Sequence, residues 1–443
     1  MTYSTTNPNY CAIISRPTAL IPLPNCTNVQ HAVVCGSKVI VGMDTALSQL
    51  GVFFPTETAL SHEFLSANSL YVKPEYGNID PSKKGYFEKH GRVRAVKFRG
   101  YVSDGFWIPL TSLINMGFVD VDEFTEGLQF DHINDTEICR KYVPHSNRRT
   151  NPFVKQPRRE RLEDGIVAGQ FKFHPDTINL RRVIDKIQPN DVISITDKWH
   201  GTSIVVGNLL TTQPLRWWER ALIKLGVSLN TQSYKLVWSS RKVIKGVGDT
   251  AKQNVAHYYD QDVWGEVAQR IKHLIPKGYT VYGEIVGYTS TGSPIQGGYT
   301  YGCPPSIHRL MIYRVTSTNS DGEVIELSWP QLKEFCTQNG LEHVKELYYG
   351  PPSQEIYSLA RDKGITLSEA MLEWLEVTYV RGQDCEYNPG LPAEGIVVRV
   401  DHLDHCDSYK LKNFRFLEHE TKLLDANAID IETNESNEDQ VNE

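Results

Sequence analysis

The residues with the most chemical promise form an ordered series of short polar signals, each set in or beside an apolar run. Asp197-Lys198-Trp199-His200-Gly201 comes first, then Ser240-Arg241, Gly283-Glu284-Ile285, Tyr313, Glu394-Gly395-Ile396-Val397-Val398-Arg399, and finally Lys410-Leu411-Lys412. Together these residue types support phosphoryl transfer to a protein amine. A lysine attacks only as the neutral amine, so nearby cations or a metal must lower its pKa. Lys198, close to Gly201, can approach an α-phosphate, while Lys410, Lys412 and Arg241 supply cations that would depress its pKa and stabilise the transferring group. Lys242 is the alternative to Arg241 in that role. Glu394 suits Mg²⁺, which takes oxygen ligands and keeps several waters. Glu284 can accept hydrogen bonds from ribose hydroxyls, and Tyr313 offers a flat face to an adenine.

These groups need strands to aim them. Val192–Thr196, Ser203–Val206, Tyr234–Trp238, Tyr279–Val286, Leu310–Val315, Ala393–Val400 and Ser408–Asn413 read as strands, and each delivers or precedes one of the signals. Lys410 and Lys412, two apart, share one strand face. Ahead of them, His174-Pro175-Asp176-Thr177 reads as a helix start, with Asp176 or Thr177 as N-cap and Leu180, Val183, Ile184 and Ile187 as one apolar helical face. Helical segments are expected around Gln331–Asn339 and Leu367–Val377. The stretch Asp401–Asp407 is rich in His and Asp but lacks regular zinc-ligand spacing, and reads as a polar loop.

Before Phe171 the pattern is β-rich. Ala32–Val34, Lys38–Val41, Val52–Phe54, Arg92–Phe98 and Phe106–Leu110 are short runs between Gly, Pro and Asp turns, a spacing that suits a small barrel. Arg92, Arg94, Lys97 and Arg99 make one strand basic, and Arg140 to Arg161 forms a basic run that includes Arg148, Arg149, Arg158 and Arg159. Both are candidate nucleic-acid contacts, or solvated surface.

The chain has 443 residues, 40% hydrophobic, enough for more than one core. The formal charge of −7 resides in the segment from Asp425 to Glu443, which holds acids and no Lys or Arg and reads as disordered; the rest is neutral overall. No apolar run approaches the roughly 20 residues of a membrane helix, and the first residues carry no signal-sequence pattern. The eight cysteines contain no CxxC and read as free thiols of a cytoplasmic protein.

The order Lys-x-His-Gly, Ser-Arg, Gly-Glu-Ile, an aromatic in a strand, Glu-Gly-Ile-Val-Val-Arg, Lys-x-Lys resembles the covalent nucleotidyltransferases, the polynucleotide ligases and mRNA capping enzymes. His200 in the Lys-x-His-Gly signal looks like RNA ligases. Gly51-Val52-Phe53-Phe54-Pro55 and Gly91–Gly100 resemble Deinococcus-type RNA ligases, which carry an N-terminal OB-fold module. One departure is Arg314, where many relatives have Asp.

The resemblance implies an α+β architecture. An OB-like β-barrel module (1–150) and a basic linker (151–173) would precede a nucleotidyltransferase domain of antiparallel sheets with flanking helices (174–424). That domain would hold an insertion at about 317–390 and be followed by the acidic tail (425–443). It implies an ATP-dependent RNA ligase using Mg²⁺ or Mn²⁺, with Lys198 as the nucleophile that forms lysyl-AMP and Lys410 and Lys412 on the phosphates. Asp197, His200, Gly201, Arg241, Glu284 and Tyr313 would hold the nucleotide, and Glu394 would serve the metal. The expected partner of this monomer is RNA, or an RNA/DNA duplex, with 3′-OH and 5′-phosphate ends at a nick. A DNA ligase or capping guanylyltransferase is the alternative, although the stretch after Lys412 is too short for the barrel such enzymes carry there. An inactive nucleic-acid-binding protein is a further alternative, and the complete set of site residues argues against it.

Overall fold

The computed structural model describes residues 1–143, 165–213, 215–227, 229, 231–248, 250–251, 259 and 261–425. Arg148, Arg149, Arg158, Arg159 and the segment after Asp425 lie outside them. The described residues form a mixed α+β structure whose sheets are almost wholly antiparallel.

Two sheets position the candidate site. The five-stranded sheet has the order Ile178–Asn179, Cys406–Lys412, Gly395–Asp401, Ile193–Lys198, Glu346–Gly350, and only its first pairing is parallel. The seven-stranded sheet runs Thr250–Ala251, Ile244–Val247, Gln232–Ser239, Thr202–Thr212, Tyr279–Gly287, His308–Thr318, Val324–Glu326. The chain crosses between them at Trp199-His200-Gly201, so Lys198 ends a strand of one sheet and Thr202 begins a strand of the other.

Strand alternation decides what faces the gap. Ile193, Ile195, Ile396, Val398, Tyr409 and Leu411 are buried in one core with the helix Leu367–Leu375. Their neighbours Thr196, Lys198, Lys410 and Lys412 therefore take the opposite face. In the larger sheet Ile204, Val206, Leu236, Trp238 and Val281 pack on the helices Val263–Ile271 and Trp329–Asn339. That sends Ser203 to the other side, where its hydroxyl meets that of Tyr313 at 3.3 Å. The segment 317–390 is built into this frame: it contributes the edge strand Glu346–Gly350, paired with the strand of Lys198, and the helix Leu367–Leu375.

The expected helix after His174 is absent. Ile178–Asn179 extends beside Tyr409–Lys410, and two 3₁₀ turns follow, Leu180–Arg182 and Ile184–Lys186. Val183 leaves helical geometry at φ −137°, yet Leu180, Ile184 and Ile187 are still buried. The apolar face is present without the α-helix, because 3₁₀ turns bury nearly the same spacing.

The N-terminal region is β-rich as expected, but its strands do not close into one barrel. It contains a four-stranded sheet (Gly105–Pro109, Gly51–Pro55, Ala12–Ser15, Gln129–Phe130), a three-stranded sheet (Ala19–Pro22, Val29–Val34, Ser37–Gly42) and smaller pieces. Phe54, Phe64, Phe87 and Phe130 fill its main core. It docks on the rest of the chain through polar contacts. Arg181 donates to Gly36 O at 2.9 Å, and Asn9 to Thr177 O at 3.2 Å.

Candidate active site

Lys198 ends its strand with its amine 2.7 Å from Glu394 Oε1, and Lys412 Nζ lies 3.4 Å from the same oxygen. Glu394 precedes the strand Gly395–Asp401, whose first residue pairs with Lys198 on one side and Lys412 on the other. Gly395 has φ +144°, and a Cβ there would sit 2.1 Å from Leu411 O. Only glycine lets the three strands approach closely enough to bring Glu394 between the two lysines. Burial alone would raise the Glu394 carboxyl pKa, but Lys198, Lys412 and His200 outweigh it and hold the group below the ordinary carboxylate range. Its other oxygen, Oε2, is buried and has no hydrogen-bond partner among the described residues.

Lys410 sits in the same gap. Burial, with Lys412 and Lys198 nearby, pushes its amine down to about 7, against the opposing pull of Asp176. Asp176 forms an ion pair with Arg241, which brings Arg241 to this cluster from the far side. His174 stands edge-on to Tyr313, ring centroids 5.0 Å apart, and burial beside Arg314 and Arg241 drives its imidazole down to about 3, so it is neutral. Arg314 pairs with Glu326 at 2.8 Å and stacks over Tyr282.

Gly201 and Glu284 form a clamp at the sheet crossing. The Gly201 N–H donates to Glu284 Oε1 at 3.2 Å, and any Cβ at Gly201 would lie 2.2 Å from Ile285 O. Trp199 stacks on Tyr301 (4.4 Å, 12°), whose hydroxyl accepts from the His200 N–H at 2.6 Å. The turn after the lysine is thus fixed on both sides.

The arrangement brings together Lys198, Gly201, Arg241, Glu284, Tyr313, Glu394, Lys410 and Lys412. His200 is a framing residue here, its ring packed edge-on between Tyr299 and Phe416. Asp197, next to Lys198 along the strand, takes the opposite face. Its backbone N–H donates to Lys345 O at 3.1 Å, and burial raises its carboxyl to about 6 beside Lys345 and Glu386. It lines a cleft of about 200 Å³ that also involves Lys198, Glu394, Tyr387 and Gln383.

Of the expected basic strand Arg92–Phe98 only Val96–Phe98 is a strand, while Arg92 makes a single bridge with Ala59 and Arg94 lies in irregular chain. The stretch does not offer a row of cations to solvent. Arg92 is buried, makes two hydrogen bonds to Glu57 (2.8 and 3.2 Å) and reaches Asp425 at 3.2 Å. Arg94 approaches Asp425 at 3.6 Å, and Lys97 pairs with Glu418 at 3.1 Å. Glu418 and Asp425 both belong to the helix Phe414–Asp425, which also sets Glu420 3.4 Å from Lys412. Arg99 donates to Asn25 O and remains near the surface. Arg92 is therefore buried in ion pairs, where its basic stretch suggests an exposed side chain.

Asp176, His174 and Glu420 join the cluster without being legible as site residues in the sequence. The first two fall where the sequence suggests a helix start, and the signal that points to them is the oddity of His-Pro-Asp just before an apolar run. Glu420 carries no local signal.

The sequence profile of the RNA ligase family matches residues 191–413, which contain every one of the clustered groups except His174, Asp176 and Glu420. No curated protein sequence matches the chain. Among solved structures, a Naegleria gruberi RNA ligase mutant with AMP and Mn aligns over 92% of this chain and 98% of its own at 14% identity, with a TM-score of 0.56. A mutant of the same ligase with ATP and Mn gives 14% identity over 92% and 98%, TM-score 0.57. Its structure with pyrophosphate gives 12% identity over 94% and 100%, TM-score 0.56. At these identities the likeness concerns the fold, and it extends well beyond residues 191–413 into the N-terminal region.

Proposed function

The chain belongs to the RNA ligase family, and from that premise we propose that it is an ATP-dependent ligase working through a lysyl-AMP intermediate at Lys198. The observation that carries this reading is the Lys198–Glu394–Lys412 cluster, with Lys410 and the Arg241–Asp176 pair around it. The solved relatives with ATP or AMP support the choice of nucleotide.

In the first step the Lys198 amine attacks the α-phosphorus of ATP. An N–P bond forms and pyrophosphate leaves. The amine has to shed a proton before it attacks, and Glu394 Oε1, at 2.7 Å, holds the amine in position. Lys410 and Lys412 face the developing charge on the phosphate oxygens. Glu284 accepts from the ribose hydroxyls, and Tyr313 flanks the base. In the second step the RNA 5′-phosphate displaces lysine and takes the AMP. In the third a 3′-OH displaces AMP and seals the strand.

The residues present also fit a divalent cation. Glu394 Oε2 is a buried oxygen without a protein partner, an oxygen donor of the kind Mg²⁺ or Mn²⁺ takes. Such an ion would neutralise charge on the nucleotide phosphates.

The finer reading places the chain near Deinococcus-type ligases, acting on nicked duplexes with RNA on the 3′-OH side. In that reading the N-terminal region is an OB-like substrate module, and Arg99 with the segment bearing Arg148, Arg149, Arg158 and Arg159 supplies phosphate contacts. The test is incubation with α-labelled ATP and Mg²⁺ followed by a denaturing gel, then sealing assays on nicked RNA, RNA/DNA and DNA duplexes. Label transfer from GTP but not ATP, or sealing of DNA alone, would refute it.

A further inference from the structure

The hairpin joining the strands of Glu394 and Lys410 ends in His402-Leu403-Asp404-His405-Cys406-Asp407. Asp401 pairs with Cys406, and the His402 N–H donates to His405 O at 2.9 Å, closing a tight turn. That closure puts both imidazoles on one side of the turn, with ring centroids 4.6 Å apart and planes 25° from parallel. Asp407, two residues beyond His405, points the same way along the strand. One donor atom from each of His402, His405 and Asp407 lies within 4.8 Å of the others.

Two further contacts give this cluster the character of a ligand set. His405 Nδ1 bonds Asp404 Oδ1 at 2.7 Å, which fixes the ring and leaves Nε2 as a donor. A carboxylate behind an imidazole is the usual support for a metal-binding histidine. His402 Nε2 meets Asp407 Oδ2 at 3.3 Å, so two of the three donors already converge. All three side chains are exposed and free to close the remaining gap around an ion with bonds of about 2.0–2.2 Å.

We propose that this turn binds one divalent cation of the zinc class through His402, His405 and Asp407, with Asp404 orienting His405 and solvent completing the coordination. Two imidazoles and one carboxylate favour Zn²⁺, Co²⁺ or Ni²⁺ over Mg²⁺, which prefers an all-oxygen shell. The strand Gly395–Asp401 separates this turn from Glu394 by about 20 Å at roughly 3.3 Å per residue, so this ion is not the one serving phosphoryl transfer. Its effect is to clip the closed end of the hairpin whose open end carries Glu394, Lys410 and Lys412.

The test is titration of the chelator-treated full chain with Co²⁺, read by its visible absorption, and competition by Zn²⁺. One equivalent should bind. His402→Ala and His405→Ala should each weaken binding by about 100-fold, and Asp404→Asn by about 10-fold. Circular dichroism checks that these surface variants fold, and their Mg²⁺-dependent nucleotide labelling should be unchanged. Absence of saturable Co²⁺ and Zn²⁺ binding, or equal binding by the His402→Ala/His405→Ala double variant, would overturn the proposal. Neither result bears on Lys198, because the site is defined without reference to the ligase reading.

Discussion

Two basic stretches in this chain have opposite fates. Cys406–Lys412 turns Lys410 and Lys412 into the gap between the large sheets, where Asp176, Glu394 and Glu420 are the acids nearby. There the cations crowd one another enough to push Lys410 down to about 7. The stretch around Arg92, Arg94 and Lys97 is as basic in sequence, but its cations meet Glu57, Glu418 and Asp425. A crowded set of cations in a gap suits an anion. A matched set is a clamp, here between the N-terminal region and the C-terminal helix. Charge along the chain does not distinguish the two, because deciding acids such as Asp176, Glu418 and Asp425 come from segments hundreds of residues away.

The comparison can be broken at either stretch. Glu394→Ala removes the acid shared by Lys198 and Lys412 among the described residues, and leaves the clustered cations less balanced. Nucleotide labelling should fall by about 10²–10³-fold, the cost of deleting one preorganised electrostatic group, with the fold retained by circular dichroism. Near-normal labelling would show that the acid between the lysines is dispensable.

Arg92→Ala attacks the clamp instead. It leaves Glu57 buried without its cation, so urea unfolding should show a loss of about 3 kcal/mol. The labelling rate of the folded fraction should change little. A loss of labelling without a loss of stability would mean that the N-terminal stretch belongs to the catalytic cluster after all.

A third experiment exploits the crowding of Lys410. Its folded pKa of about 7 lies below the unfolded value of 10.5. Between those values the unfolded chain binds a proton that the folded chain does not, so stability should rise with pH from about 7 toward 10.5. Lys410→Met should flatten that part of the unfolding profile. An unchanged slope would place the lysine in ordinary solvent.

The smallest effect is expected at Lys97. Its pair with Glu418 is partly exposed, so Lys97→Ala should cost about 0.5 kcal/mol and become neutral at high salt. A loss of several kcal/mol would make this pair part of the buried clamp.

These contrasts also mark what the sequence makes legible. Ile193-Ser194-Ile195-Thr196-Asp197-Lys198 alternates cleanly, so its strand and the facing of Lys198 follow from period two. The same rule turns the Asp197 side chain to the other face, toward Lys345 and Glu386. Lys410 and Lys412 follow likewise, flanking core residues Tyr409 and Leu411. Local rules fail where the partner is remote. Nothing near Arg241 announces Asp176, and nothing near Arg92 announces Asp425. Most N-terminal strands are legible as strands, Arg92–Ala95 excepted, but whether they close a barrel depends on pairings between distant segments.

The central claim is that Lys198 carries the nucleotide, and mass spectrometry of the chain after incubation with ATP and Mg²⁺ tests it most directly. The peptide containing Lys198 should gain the mass of one adenylate, the adduct should be labile to acid as a phosphoramidate is, and folded Lys198→Ala protein should acquire none. An adenylate on any other residue, or labelling that persists in Lys198→Ala, would contradict the account.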